Sequence, residues 1–151
     1  FEWAGFVREG FGYVSRLPIA LDGSCNGLQH FSAMLRDDIG GEAVNLIPSD
    51  TPQDIYQRVA DVATEKLKAY IGDDMDLAQG WMSLGIDRDI TKRPVMILPY
   101  GGTRHACRKY IEEELRKMLR NGKQNPFQAG DEDRIFKASD FLAGIVWESI
   151  S

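Results

Sequence analysis

Residues 49–72, SDTPQDIYQRVADVATEKLKAYIG, carry the clearest helical pattern in the chain. Thr51 suits the cap at the amino-terminal end, and Pro52 suits the first turn, where its missing N–H is not needed. Gly72 suits the end of the helix. Apolar positions recur at helical spacing along one face: Ile55, Val59, Val62 or Ala63, and Leu67. The segment therefore predicts an amphipathic helix that packs one face against a core.

The segments before this helix predict a strand followed by a helix. Residues 11–21 alternate loosely and end in LPIAL, which predicts a short strand that delivers Asp22 to its tip. Residues 27–36 predict a helix with a buried apolar face. The apolar residues of that face are Leu28, Phe31 and Leu35. A junction between strand and helix at residues 22–27 would expose a side chain.

The segments after it predict further helices. Residues 72–79 have the composition of a polar loop, and residues 121–131 form a second loop rich in Gly, Asn, Pro and Gln. Helices are predicted at about residues 84–100, at 108–120 and from 134 onward. Pro94 and Pro99 should kink the first of these or end it near residue 98, because an internal proline removes a helical hydrogen bond. The predicted fold class is α+β, mostly α.

The composition describes a globular chain with a negative net charge. The formal charge of −5 over 151 residues weighs against nonspecific coating of nucleic acid. Apolar runs are much shorter than the roughly 20 residues of a membrane span, so no membrane role is expected. Cys25 and Cys107 stand alone and predict neither a zinc site nor a disulfide framework. One basic segment could still hold phosphates: Arg88, Lys92, Arg93, Arg104, Arg108 and Lys109.

The stretch RDITKRPVMILPYGG, residues 88–102, spaces four side chains at steps of four. Arg88, Lys92, Met96 and Tyr100 would wind slowly along one helix face, with about 6 Å between neighbours. The two cations could grip different phosphates of a triphosphate, since Arg offers a bidentate fork and Lys a point charge. The thioether and the phenol could then meet the sugar and the base. The alternative is a solvated pair of cations beside two core side chains.

Two motifs together resemble a known family. DGSCNGLQHFSAMLRD at residues 22–37 and the pattern R-x3-K-x7-Y-G at residues 88–101 follow the order and spacing of the single-subunit RNA polymerases of bacteriophages and mitochondria. The resemblance covers nearly the whole chain. It implies part of the right-hand fold that these enzymes share with A-family DNA polymerases, with residues 1–80 in the palm and residues 81–151 at the start of the fingers.

The resemblance also implies roles for individual residues. Asp22 would be the first of two catalytic aspartates and would bind two Mg²⁺ ions, with the Gly23 carbonyl as a further ligand. Arg88 and Lys92 would hold the nucleotide phosphates, and Lys92 is also implied as an acid toward the pyrophosphate leaving group. Tyr100 would lie beside the ribose and the templating base.

Two further positions bear on the choice of substrate, and a third, Gly101, belongs to the implied nucleotide-binding residues. Gly27 stands five residues after Asp22, where the related DNA polymerases typically carry a Glu that blocks a ribose 2′-hydroxyl. Met96 replaces the Phe or Tyr of the DNA enzymes, and Gly101 completes the motif after Tyr100. The resemblance therefore implies a nucleotide site that accepts ribonucleotides. Without the resemblance, Gly27 could equally be a simple turn residue.

The implied function is template-dependent, two-metal addition of ribonucleoside monophosphates to an RNA 3′ end. The partners would be a DNA template, an RNA transcript and ribonucleoside triphosphates. The enzyme would be monomeric, in the cytoplasm of an infected host cell if it comes from a phage, or else in the mitochondrial matrix. The chain alone is expected to be inactive, because it lacks the second aspartate in an H-D-S-x-G type segment. The alternatives are an A-family DNA polymerase fragment, which Gly27 opposes, and a noncatalytic helical interaction domain.

Overall fold

A computed structural model describes residues 2–18, 23, 25–127 and 132–150 of the chain. These residues form α-helices and two short 3₁₀ turns, at Gly10–Gly12 and Leu98–Tyr100. The helices, numbered in chain order within this part, are α1 (Glu2–Glu9), α2 (Asn26–Leu35), α3 (Asp38–Ala43), α4 (Ile55–Lys68), α5 (Met75–Leu84), α6 (Arg88–Ile97), α7 (Arg104–Arg120) and α8 (Glu132–Ile150).

The predicted β element is wrong for the described residues, which contain helices and no strand. Residues 13–18 of the expected strand are irregular, while residues 19–22 lie outside the described part of the chain. A strand needs a neighbouring strand to pair its backbone groups, and Pro18 has no N–H to offer such a ladder. With helices alone around it, the loose alternation of this segment does not produce a sheet.

The helix predicted from residues 49–72 forms, but its amino-terminal cap is not Thr51. The helix begins after Asp54, whose Oδ1 accepts hydrogen bonds from the backbone N–H groups of Tyr56 at 3.0 Å and Gln57 at 3.3 Å. A carboxylate at this position satisfies free amides and also favours the positive end of the helix dipole. Asp54 therefore displaces the predicted cap by three residues.

The sequence left open whether Val62 or Ala63 belongs to the buried face of α4, and the structure shows that Ala63 does. Ala63 is fully buried, whereas Val62 is 40% exposed. The helix ends at Lys68, ahead of Gly72. Its buried residues are Tyr56, Val59, Ala60, Ala63 and Leu67. The small alanines let neighbouring helices approach this face of α4 closely.

Helix α2 has almost the predicted bounds, but the prediction that its apolar face is buried is wrong. Phe31 is 42% exposed and Leu35 is 73% exposed, and Ser32 is the buried residue of this helix. The apolar side chains line an open groove together with residues of α4, including Val62. Helical periodicity fixed which side chains share a face, but burial depends on a neighbouring element that covers the face.

The polar loop predicted at residues 72–79 is also wrong, because α5 begins at Met75. Leu77 and Trp81 of this helix are buried, which is the i, i+4 spacing of one helix face. The acidic residues Asp74 and Asp76 give the start of the segment a polar composition, yet acids are favourable at this end of a helix. Helix α7 likewise begins four residues earlier than predicted, and α1 and α3 were not predicted.

The prediction near Pro99 is confirmed. Helix α6 ends at Ile97 and continues as the 3₁₀ turn Leu98–Tyr100. Pro94 lies inside α6 and is buried. The backbone therefore changes from α-helical to 3₁₀ geometry where the second proline prevents a further α-helical hydrogen bond. As a result, Tyr100 lies on the turn and not on α6 itself.

Helices α4, α5, α6, α7 and α8 share one hydrophobic core. The indole N–H of Trp81 donates to the carbonyl of Ala138 at 2.8 Å, and the Trp81 ring lies 5.3 Å from the ring of Phe127. Other fully buried members are Ile90, Val95, Ile111, Leu115, Leu142 and Val146. Among the described residues, no helix is long and apolar enough to cross a membrane. The core gives α4 and α6 a fixed relative position, and the candidate site lies between them.

Candidate functional site

A cleft of about 370 Å³ opens where the start of α2, the first turn of α4 and one face of α6 meet. It is lined by Gly23, Cys25, Asn26, Gly27, Tyr56, Arg88, Lys92, Met96 and Tyr100. Every member of the spaced set on residues 88–100 is present, together with Gly23 and Gly27 of the first motif. The fold thus brings both motifs to one cavity, although residues 38–87 separate them in the chain.

Helix α6 presents the cationic side chains because its other face is buried. Asp87 caps the helix, and its side chain accepts hydrogen bonds from the N–H groups of Asp89 at 3.1 Å and Ile90 at 3.4 Å. The buried residues of α6 are Ile90, Thr91, Pro94 and Val95. The side chains at steps of four from Arg88 therefore remain on the open side, as the spacing predicted.

The two cations of the cleft differ in their contacts. Arg88 Nε donates to Asp54 Oδ2 at 2.7 Å, and the guanidinium carbon lies 5.4 Å from the centre of the Tyr56 ring. Lys92 is exposed, and within the described residues no carboxylate forms an ion pair with it. Arg88 is thus held in place, whereas the Lys92 ammonium is available to an anion.

The first turn of α4 is fixed against α6 by a second contact. The hydroxyl of Thr91, which is fully buried, donates to the backbone carbonyl of Tyr56 at 2.7 Å. This bond satisfies a buried hydroxyl and holds the wall of the cleft at the base of Tyr56. The place of Tyr56 in this wall and the contact of Asp54 with Arg88 both depend on how two distant helices pack, which no local sequence pattern shows.

The charges around Arg88 shift the nearby pKa values. Partial burial by itself would raise the pKa of Asp54, but hydrogen bonds from Arg88, Gln57 and Tyr56 outweigh it and hold the pKa below its usual 3.8. The hydrogen bond to Asp54 in turn raises the pKa of Arg88. Burial raises the pKa of the Tyr56 hydroxyl, and a hydrogen bond with Cys25 adds to this increase. The phenol therefore stays neutral in the cleft and the arginine stays charged.

Gly27 allows α2 to approach the turn after α6. A Cβ at this position would lie 2.9 Å from both Cβ and Cγ of Pro99 and 3.2 Å from Cζ of Tyr100. Tyr100 itself is 77% exposed, so its ring stands at the rim of the cleft. Gly101 does not line the cleft; it takes a φ of 75° and ends the turn, a backbone conformation that glycine adopts without strain.

The metal-binding part of the prediction depends largely on a residue that is not described. Asp22 lies outside the described residues, while Gly23 lines the cleft. Among the described residues, no group of three or more His, Cys, Asp or Glu side chains could hold a metal ion. The assignment of Asp22 and Gly23 as metal ligands stays a prediction, as do the roles of the other cleft residues.

The fold and the cleft define a helical unit with a cationic, aromatic-rimmed cavity open to solvent. The family described as DNA-dependent RNA polymerase matches residues 1–151. The chain therefore belongs to the DNA-dependent RNA polymerase family.

Individual relatives agree with this membership. The chain is 38% identical over 176 residues to T7 RNA polymerase of Escherichia phage T7, covering 100% of the chain and 19% of that protein. It is 37% identical over 177 residues to the DNA-directed RNA polymerase of Enterobacteria phage K11, again with 100% of the chain and 19% of that protein. It is 38% identical over 150 residues to the mitochondrial DNA-directed RNA polymerase of Homo sapiens, covering 98% of the chain and 10% of that protein. The chain thus spans about a fifth of the length of its phage relatives.

Proposed function

We propose that the chain is the nucleotide-binding part of a single-subunit DNA-directed RNA polymerase that adds ribonucleoside monophosphates to an RNA 3′ end on a DNA template. The observation that carries this proposal is the cleft, which unites the exposed cation Lys92, the anchored cation Arg88 and the rim residue Tyr100. The family membership supports it, because the relatives are named as DNA-directed RNA polymerases. The partners are then a DNA template, an RNA transcript and ribonucleoside triphosphates.

The phosphate chain of the substrate would lie along α6. Arg88 offers its two terminal nitrogens to one phosphate, and Lys92, one helical turn further, offers a point charge to the next. A cleft of about 370 Å³ that is open to solvent admits the triphosphate and leaves the base near Tyr100. Lys92 is also suited to give a proton to the departing pyrophosphate, because no ion pair within the described residues restrains its ammonium.

We further propose Mg²⁺ as the cofactor. The donors that fit are the carboxylate of Asp22 and the carbonyl of Gly23, since Mg²⁺ prefers oxygen ligands and usually completes its shell with water and substrate phosphates. Gly23 supports this fit because it lines the same cleft as Arg88 and Lys92, and the Asn26 side chain packs where a Cβ of residue 23 would stand. When bound there, the metal would supply activation of the attacking 3′-hydroxyl and charge stabilisation for the leaving pyrophosphate. A second aspartate must come from outside these 151 residues, and the chain alone stays predicted to be inactive.

The placement of the helices in a right-hand polymerase follows from the same proposal. Residues 1–80 would belong to the palm and residues 81–151 to the start of the fingers, with the cleft at their junction. Gly27 favours an RNA polymerase over an A-family DNA polymerase, because no side chain at this position blocks a 2′-hydroxyl. A noncatalytic helical interaction domain would have no need of an exposed lysine in a cleft beside a tethered arginine.

The test is single-nucleotide addition by the full-length protein on an RNA primer annealed to a DNA template. Lys92→Ala should lower kcat/KM by about 100-fold or more, since it removes both a phosphate contact and a proton donor. Lys109→Ala is the matched control, because Lys109 is an exposed lysine on α7 that does not line the cleft. Equal activity of the two variants would contradict the proposal, and Asp22→Asn should abolish addition while the fold persists.

A further inference from the structure

Asp54 uses its two carboxylate oxygens for two different partners. Oδ1 caps α4 through the N–H groups of Tyr56 and Gln57. Oδ2 accepts the Nε–H of Arg88 at 2.7 Å. One side chain therefore defines where α4 begins and also ties the arginine of α6 to that point.

This contact leaves a defined part of Arg88 available. Its Nε is engaged by Asp54, and its guanidinium carbon lies over the Tyr56 ring, 5.4 Å from the ring centre. The terminal nitrogen Nη1 lies 3.9 Å from Asp89 Oδ1, which is beyond hydrogen-bond distance. The two terminal nitrogens thus keep the fork geometry that recognises a phosphate in a bidentate manner. A free arginine would lose more rotamer freedom when it binds the same phosphate.

We propose that Asp54 is a positioning residue of the nucleotide site, which holds Arg88 by Nε so that its terminal nitrogens meet the triphosphate in a preorganised geometry. The inference rests on the proposed function, because it assumes that the cleft takes nucleotide phosphates. Asp54 does not line the cleft and acts through Arg88. The opposite role is also physically possible, since a carboxylate can compete with a phosphate for the same guanidinium. The two roles predict opposite changes in phosphate affinity when the Asp54 charge is removed: positioning predicts weaker binding, and competition predicts tighter binding.

Asp54→Asn separates capping from charge. Asn caps helices about as well as Asp, so α4 should keep its first turn while the ionic bond to Arg88 is lost. The matched control is Asp61→Asn, which removes the same charge from an exposed site on the same helix, where Asp61 accepts a hydrogen bond from the Gln57 side chain at 2.8 Å. Asp54→Ser is a second cap-preserving variant for the case that the amide alters the turn.

Two measurements on the full-length protein read out the effect. The first is the Kd of tripolyphosphate with Mg²⁺, which carries the charge of the substrate without a sugar or base and needs no template. The second is the KM and kcat of single-nucleotide addition. Since the Arg88 and Asp54 side chains are 44% and 40% exposed, we expect a coupling in the range of exposed ion pairs, about a three- to fivefold rise in both Kd and KM with kcat unchanged.

A double-mutant cycle ties the effect to Arg88. Arg88→Ala should raise Kd by itself, and adding Asp54→Asn should then change nothing further, because the residue through which Asp54 acts is gone. The proposal is overturned if Asp54→Asn lowers Kd, leaves it unchanged or raises it equally in the absence of Arg88. It is also overturned if the wild-type protein does not bind tripolyphosphate. A wild-type protein that binds tripolyphosphate but adds no nucleotide would instead refute the proposed function, and the Kd comparison would still decide the role of Asp54.

Discussion

Gly27→Ala is the most informative single change in the cleft, because it tests packing before sugar selection. The added Cβ would lie 2.9 Å from two ring carbons of Pro99. Favourable carbon–carbon contacts lie at about 3.5–4.0 Å, so the ring must move by about 0.6 Å or more. Pro99 is part of the 3₁₀ turn that carries Tyr100. The ring cannot move alone, and the turn would shift with it.

The magnitude follows from this overlap. Adding a methyl group to a closely packed site costs about 1–3 kcal/mol. If the cleft must regain its geometry in the transition state, this corresponds to about a 5- to 150-fold loss in kcat/KM. The assay is single-nucleotide addition by the full-length protein with matched ribonucleoside and deoxyribonucleoside triphosphates. Gly144→Ala is the control, because a Cβ there meets Arg104 at an ordinary 3.5 Å.

The two sugars separate packing from gating. Gly27→Ala should lower kcat/KM equally for both sugars, since the displaced turn does not distinguish a 2′-hydroxyl. Gly27→Glu should show the same loss for both sugars and an additional loss for ribonucleotides alone. Wild-type activity of Gly27→Ala would refute the packing argument. An equal loss for both sugars with Gly27→Glu would refute the gate and leave the packing argument intact.

Three further predictions concern stability and reactivity in the full-length protein. Trp81→Phe should lower the free energy of unfolding by about 1–3 kcal/mol, seen as a lower urea midpoint by circular dichroism, because a buried hydrogen bond to the carbonyl of Ala138 is lost and the smaller ring fills the core less completely. The stability difference between wild type and Asp54→Asn should be present at pH 7 and shrink as the pH falls below about 3.8, because a carboxylate with a lowered folded-state pKa loses its contribution when it is protonated; a pH-independent difference would contradict the ion pair with Arg88. Cys107 should resist alkylation at pH 8 until the protein unfolds, as judged by peptide mass mapping, because burial raises its thiol pKa to about 12; rapid labelling of the native protein would contradict this.

Helical periodicity made much of the architecture predictable. The step of four from Arg88 to Tyr100 predicted one shared face, and the prolines predicted the end of α6. Both depend on interactions within a few residues along the chain. The start of α4 was less predictable: the predicted cap was Thr51, whereas the carboxylate of Asp54 satisfies two backbone amides and determines where the helix begins.

The incorrect predictions concern sequence patterns whose structural outcome depends on a neighbouring element. The alternation at residues 11–21 found no neighbouring strand among the described residues. The apolar face of α2 kept Phe31 and Leu35 exposed, although its spacing is that of a buried face. The acids at the start of α5 suggested a loop, while the burial of Trp81 in the core supports a helix. In each case, local composition did not specify which element lies opposite.

The sequence by itself determined the helical character of the chain, the spacing of Arg88, Lys92, Met96 and Tyr100, and the resemblance that family membership confirmed. These properties depend on residue identity and on distances along the chain. The tertiary structure alone decided that Asp54 holds Arg88 and that Gly27 makes room for Pro99. Such contacts join segments more than 30 residues apart, and their distances follow from the packing of α2, α4 and α6, which no local pattern encodes.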